Sequence, residues 1–186
     1  MKYNFIDVEG FDCSGKSTIA KWIYQEFGYE YHKSPSGLFA EVRTCFDKFD
    51  IRLKDRIAFY TGDCIRISML FNEQIDKGHK FVLDRYFYST IAYHESKQPN
   101  ITCELRKIYK ALRKPDIILY ITVDYETALK RLKNRKNKPN DELFLSDQHY
   151  KTIDENFRQF FDVNYVTVDN NQDFEITKNQ IRKILQ

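Results

Sequence analysis

The stretch Val8–Ala20, VEGFDCSGKSTIA, decides how the rest of the chain is read. Gly10, Gly15, Lys16 and Ser17 meet the spacing G-x-x-x-x-G-K-[ST], in which a glycine-rich turn aims backbone N–H groups at phosphate oxygens where a helix begins. A strand-like run from Tyr3 to Val8 leads into it, and a helical pattern from Lys16 to Phe27 leads out. That order of strand, loop and helix is the context the motif needs. Lys16 is placed to span the β- and γ-phosphates of ATP as a point charge, and the Ser17 hydroxyl to sit on Mg²⁺. Gly10, Cys13, Ser14, Gly15, Lys16, Ser17 and Thr18 therefore form the candidate ATP site, with amides at the helix start facing anionic oxygens.

Outward from the loop, strand-like runs recur at Tyr29 to Lys33, Lys80 to Asp84, Asp116 to Val123 and Tyr165 to Asp169. Helical patterns lie between them: Leu38 to Phe49, Ile51 to Asp76, Tyr86 to His94, Cys103 to Arg113, Tyr125 to Arg135, Gln148 to Phe161 and Phe174 to Leu185. Strands alternating with helices predict an α/β fold, a doubly wound three-layer arrangement around a five-stranded parallel sheet. Asp84 closes an apolar run in KFVLDRY and is followed by Arg85. Both fall where such a sheet opens its ligand crevice, so Asp84 is the second candidate for holding the metal's water shell. The polar stretch NRKNKPNDE, Asn134 to Glu142 with Pro139, is read as part of a short lid over approximately residues 134–147.

Composition narrows the class. A chain of 186 residues suits one domain, 1–186. Thirty Lys and Arg against 27 Asp and Glu leave a net charge of +3, too small for a dedicated nucleic-acid binder. The 13 Tyr and 15 Phe are then core and helix-interface residues rather than a stacking platform. Cys13, Cys45, Cys64 and Cys103 are widely spaced, without a C-x-x-C pair, and read as free thiols in a reducing compartment. No apolar stretch approaches the ~18 residues of a membrane span. A cytoplasmic protein without membrane or stable nucleic-acid partners is the expectation.

Taken together, VEGFDCSGKST, KSPSG, LDRYFYSTIAY and PDIILYITVDYETALKRLKNR resemble the thymidylate kinase family of P-loop nucleoside monophosphate kinases, over nearly the whole chain. The resemblance implies ATP-dependent, Mg²⁺-dependent phosphorylation of a pyrimidine deoxynucleoside monophosphate, dTMP to dTDP. It also implies roles. Asp12 would accept from the acceptor sugar's 3′-hydroxyl, and Arg85, with Lys33, would bind the acceptor's phosphate. Tyr93 would crowd the 2′ position, Phe59 would stack on the base, and Arg131 and Arg135 would swing over the transferring phosphoryl group. A homodimer through the second and the long helix is implied as well.

An alternative is a deoxynucleoside kinase, whose neutral 5′-hydroxyl acceptor must lose a proton and so calls for a carboxylate after the second strand. HKSPSG offers Lys33 there and no acid, and a cation suits an acceptor that arrives charged. Glu30 lies an odd number of residues from Lys33, on the opposite face. Departures from the family also bear on substrate choice. Cys13 stands where the family has glycine or arginine, which leaves arginine assistance to KRLKNRKNK. Asp63 stands where an arginine usually reads the thymine, and the nearest arginine is Arg66, placed here with the substrate-binding residues. A carboxylate at position 63 would accept from an amino group or mark a different or modified pyrimidine. Asp7, in a buried central strand, lacks an evident partner.

Overall fold

A computed structural model describes residues 2–46, 48–134 and 146–186. Five parallel strands form the sheet: β1 (Phe5–Gly10), β2 (Glu30–Lys33), β3 (Phe81–Asp84), β4 (Ile117–Thr122) and β5 (Tyr165–Asp169), in the order β2-β3-β1-β4-β5. The helices are α1 (Lys16–Phe27), α2 (Leu38–Phe46), α3 (Leu53–Ile75), α4 (Phe87–Glu95), α5 (Arg106–Ala111), α6 (Tyr125–Lys133), α7 (Asp147–Phe160) and α8 (Phe174–Leu185). The doubly wound, three-layer expectation holds.

Side chains alternate across β1, and the alternation assigns the layers. Ile6 and Val8 pack with Ile19, Ile23, Ile181 and Leu185 of α1 and α8. Phe5 faces the other way, into a cluster with Ile67 and Phe71 of α3, Phe87 of α4 and Phe157 of α7. The register sets Val8 beside Asp84, and Asp84 beside Lys33. The C-terminal ends of three adjacent strands thus finish together, at the point where the strand order reverses.

Some boundaries differ from those read in the sequence. The first strand starts at Phe5 and runs on through Glu9 to Gly10. The second helix stops at Phe46, short of Phe49, and buries no residue fully. The pattern from Cys103 to Arg113 divides into a 3₁₀ turn, Cys103–Leu105, and the short α5, because Leu112 turns extended. None of the four cysteines is in a disulfide. Among the described residues no helix is long and apolar enough to cross a membrane. Arg135 and most of the segment expected to form a lid lie outside the described residues.

Asp7 is the anomaly of the core. It is wholly buried on the α3 face of β1, and neither carboxylate oxygen has a hydrogen-bond partner among the described residues. Burial, and behind it the negative charges of Glu9 and Asp84, hold its pKa well above the usual carboxylate range. A neutral carboxyl is the form the core tolerates. Valine has nearly the same shape and no polar atoms, so Asp7→Val is expected to stabilise the protein by about 1–3 kcal/mol at neutral pH. Because the folded-state pKa is raised, the native protein loses stability as pH rises from about 4 through that pKa. The gain in melting temperature should therefore widen between pH 4 and neutrality. Melting curves of the two proteins across that range check it, and equal melting temperatures at pH 7 would sink the account.

Candidate active site

The phosphate loop is built by backbone geometry that only certain residues tolerate. Gly10 has φ +145°, and a Cβ there would lie 2.3 Å from the Ile121 carbonyl oxygen of β4. At Gly15, φ is +98° and a Cβ would lie 2.4 Å from the Asn170 amide nitrogen. Cys13, without that freedom, still adopts φ +66°, a conformation that costs energy in a non-glycine residue and clusters at functional sites. Gly15 caps α1 with no side chain, and the first turn of α1 carries no acidic residue. The helix's leading N–H groups and its positive dipole end are left facing the loop.

Lys16 is buried, with its ammonium 2.5 Å from the Phe11 carbonyl oxygen and 3.9 Å from Asp12 Oδ1. Burial, then the neighbouring Arg85 charge, lowers its pKa to about 7, against the pull of Asp12, Asp84 and Glu9. From α6, Arg131 reaches the loop's outer side. Its Nη1 donates to the Cys13 and Ser14 carbonyls, both at 3.3 Å, and its Nη2 to the Asn170 carbonyl at 2.7 Å.

Asp84 ends β3 directly opposite Ser17, whose hydroxyl donates to Asp84 Oδ2 at 2.5 Å. Tyr31 also donates to that oxygen, at 3.3 Å, and Lys33 stands 3.6 Å away. Oδ1 is buried with no partner among the described residues. A hydroxyl and a carboxylate with one unengaged oxygen, beside the phosphate loop, fit the water shell of a hard divalent cation such as Mg²⁺.

Beyond Asp84 the chain turns through Arg85, at φ +75°, into α4. The Arg85 Nη2 pairs with Asp12 Oδ1, and Nη1 donates to Ser89 Oγ at 2.9 Å. The guanidinium also lies over the Tyr93 ring, 5.3 Å from its centroid. Tyr93 is fixed in turn by the Asp12 backbone N–H, which donates to its hydroxyl at 2.9 Å. The structure thus brings Asp12, Arg85 and Tyr93 into one constellation beside Lys16. Lys33, half-exposed, lies against Asp84 at the end of β2.

Phe59 occupies an aromatic bracket, its ring 5.5 Å from Phe39, 4.8 Å from Phe46 and 5.1 Å from Tyr60. One turn further along α3, Asp63 is completely buried and both its oxygens are engaged. Oδ2 accepts from Ser34 Oγ at 2.7 Å, and Oδ1 from Arg66 Nε and Nη2 at 3.0 and 2.7 Å. Arg66 Nη2 also donates to Ser36 Oγ at 2.7 Å. Asp63 is therefore turned inward to hold Arg66 and the loop after β2, rather than open to a ligand's amino group. His94 is buried beside Tyr60, its Nδ1 donating to the Thr90 carbonyl at 2.6 Å. Burial lowers its pKa to about 4, so it is neutral at physiological pH.

Three side chains near the site went unassigned in the sequence. Asn170, after β5, donates to the Ser14 carbonyl at 2.7 Å and accepts from Thr177 at 2.9 Å, which ties the loop to α8. Glu9 and Ser89 are hydrogen-bonded to each other behind Arg85. In sequence Asn170 sits in DNNQD, between the last strand and the last helix, and Glu9 follows the first strand-like run, which ends at Val8.

A phosphate loop, a carboxylate at the end of the neighbouring strand and a mostly buried arginine after it define a P-loop phosphotransferase of the nucleotide-kinase kind. The sequence model of the thymidylate kinase family matches residues 8–181. The chain belongs to the thymidylate kinase family and, with it, to the ATP-dependent nucleoside monophosphate kinases. It is 28% identical over 169 residues to a probable thymidylate kinase of Methanocaldococcus jannaschii, covering 89% of this chain and 86% of that protein. In structure it resembles the thymidylate kinase of Candida albicans, with a TM-score of 0.78 at 23% identity over 99% of this chain and 92% of the other. It also resembles a deoxyadenosine kinase of M. mycoides, with a TM-score of 0.70 at 21% identity over 97% of this chain and 98% of the other. The fold is common to kinases with different acceptors, so the acceptor has to be argued from the site.

The low pKa of Lys16 comes from burial and the Arg85 charge. A polyanion against the ammonium restores the charged form, so ATP binding is expected to take up about one proton at pH 8 and far less at pH 6. Calorimetric titrations in buffers of different ionisation enthalpy read this directly. No buffer dependence at pH 8 would show that Lys16 is already charged in the free protein.

Proposed function

We infer that the protein transfers the γ-phosphoryl group of ATP to the phosphate of dTMP. An acceptor phosphate oxygen forms a bond to the γ-phosphorus, the bond to the β–γ bridging oxygen breaks, and dTDP and ADP result. The observation that carries the reading is the Arg85–Asp12–Tyr93 constellation beside Lys16. Arg85 offers a bidentate cation to an acceptor that arrives as an anion, with Lys33 assisting. Asp12, released from Arg85, accepts from the sugar's 3′-hydroxyl, and the Tyr93 ring leaves little room for a 2′-hydroxyl. Phosphoryl transfer needs positioning and neutralisation of spread charge more than covalent work by the protein.

On the donor side, the Gly15 to Thr18 amides and Lys16 hold the β- and γ-phosphates, while Gly10, Cys13 and Ser14 shape the turn. Ser17 and Asp84 hold Mg²⁺, which supplies neutralising charge to the phosphate oxygens when bound. Arg131, and Arg135 from the lid, shield the group in transit. Phe59 stacks on the base. Arg66 has only donors to give, which suits the carbonyl oxygens of a keto pyrimidine better than the amino group of cytosine.

The deoxynucleoside kinase alternative needs a carboxylate base at the end of β2. Glu30 is occupied by His79 at the far end of that strand, and Asp63, which does reach Ser34, is buried with both oxygens engaged. Four cysteines outside any disulfide fit work in a reducing cytosol. A second copy of the chain is the occupant we assign to the apolar residues left exposed on α2 and α3, Leu38 and Val42 on one, Ile65 and Met69 on the other.

Two measurements test this. Coupled ADP release with ATP and Mg²⁺ against a panel of nucleotides and free nucleosides is expected to show turnover of dTMP, and of dUMP ahead of dCMP, with none of thymidine. Turnover of thymidine but not of dTMP would transfer the assignment to the alternative. Sedimentation is expected to show a dimer that Met69→Lys converts to a monomer. A native monomer would remove the dimer.

A further inference from the structure

Glu9 and Ser89 have no task in the reaction above, yet they are built into its central residue. We propose that they are positioning residues which fix the Nη1 side of Arg85 and leave Nη2 as the side that exchanges Asp12 for the acceptor's phosphate. The proposal rests on the reading of Arg85 as the acceptor-phosphate ligand.

The direction of the hydrogen bonds follows from chemistry. Arg85 Nη1 can only donate, so Ser89 Oγ accepts from it, and the single hydroxyl proton of Ser89 goes to Glu9 Oε2 at 2.5 Å. The lone pairs of Ser89 Oγ are then presented to Arg85 Nη1 at 2.9 Å. Glu9 is itself immobilised. Its Oε1 takes the Tyr86 N–H at 2.8 Å and the Ser89 N–H at 3.2 Å, two leading donors of α4 that no side chain of the helix's own cap satisfies. A carboxylate is favoured at that dipole end, and Glu9 sits on the central strand.

Arg85 has little freedom of its own. Its backbone is held at φ +75°, with its N–H bonded to the Val8 carbonyl at 3.2 Å. The aim of the guanidinium therefore depends on its side-chain partners. Glu9 is 0% exposed, whereas the Asp12 side chain is 34% exposed. The Asp12 pair faces the crevice and is the one an incoming anion can replace. The Ser89 bond lies behind it and stays. When Asp12 turns to the sugar, Ser89 and Glu9 remain as the polar restraint and the countercharge on the inner side of Arg85.

The test compares native protein, Ser89→Ala, Ser89→Thr, Glu9→Gln and Arg85→Ala by steady-state kinetics and by calorimetric affinity for dTMP and for thymidine, which lacks the phosphate. Ser89→Ala is expected to raise the KM for dTMP about tenfold, leave the KM for ATP unchanged, and lower dTMP affinity without changing that of thymidine. Ser89→Thr, which keeps the hydroxyl, should recover most of the loss. Glu9→Gln, if its melting curve shows it folded, should lower the dTMP-to-thymidine ratio in the same direction. If Ser89→Ala weakens dTMP and thymidine equally, Ser89 only packs α4 and the proposal is wrong. If Arg85→Ala collapses the ratio while Ser89→Ala leaves it intact, the proposal falls and the reading of Arg85 stands. If Arg85→Ala leaves the ratio intact, the reading of Arg85 falls and takes the proposal with it.

Discussion

The constraint on which the site depends is the confinement of charge at the C-terminal ends of β1 and β3. Glu9, Lys16 and Asp84 are buried there, with Arg85 mostly so, in or against the phosphate loop. Charges out of water persist only when paired and hydrogen-bonded. Arg85 meets that condition twice, through Asp12 directly and through Ser89 to Glu9. Asp84 meets it through Ser17, Tyr31 and Lys33. The parallel register of β1 with β3 is what brings these groups within reach, by setting Val8 beside Asp84. Burial raises the pKa of Glu9 against the pull of Arg85, the Ser89 hydroxyl and the Tyr86 N–H, and Asp7, on the same strand without hydrogen-bond partners among the described residues, is held well above the usual carboxylate range.

The donors of the site are engaged by the protein's own oxygens. Lys16 rests on the Phe11 carbonyl, Arg85 on Asp12, and Arg131 on the Cys13 and Ser14 carbonyls. On the proposed reaction each substrate oxygen replaces a protein oxygen at a donor that is already in place. Exchange of partners yields a smaller net gain per contact than capture of an unpaired charge, and it avoids leaving a buried charge bare between turnovers. Discrimination then comes from how completely a ligand replaces what it displaces. A nucleoside without its phosphate gives Asp12 a partner while offering Arg85 nothing in return.

How far the sequence disclosed this arrangement depended on the distance over which each group acts. The phosphate loop was legible because its geometry is local. Gly10, Gly15 and the start of α1 lie within one short segment, and both glycines adopt positive φ. Asp84 and Arg85 were legible because an apolar strand ending in a charge points to the crevice. Glu9 was not, since the N–H groups it caps lie 77 and 80 residues away. Nor was Asn170, 156 residues from the loop carbonyl it holds. The helix read from Leu38 to Phe49 was too long because α2 buries no residue fully, and no core stripe marks its end.

Asp63 shows how a residue at a functional position acquires a different task. Helical spacing alone put an acid where the family's pattern has a base-reading arginine, and suggested a carboxylate turned toward the ligand. What the spacing could not convey is that the loop after β2 comes down over that point and supplies Ser34 as a donor. With Ser34 on one oxygen, Asp63 has the other free for Arg66, three residues on and on the same helix face. The guanidinium is drawn to the loop and meets Ser36, over the Phe39 ring that borders Phe59. A buried carboxylate thus holds a cation at the edge of the aromatic bracket. The charge reversal at position 63 is compensated within one helical turn, and donor character at that edge survives it.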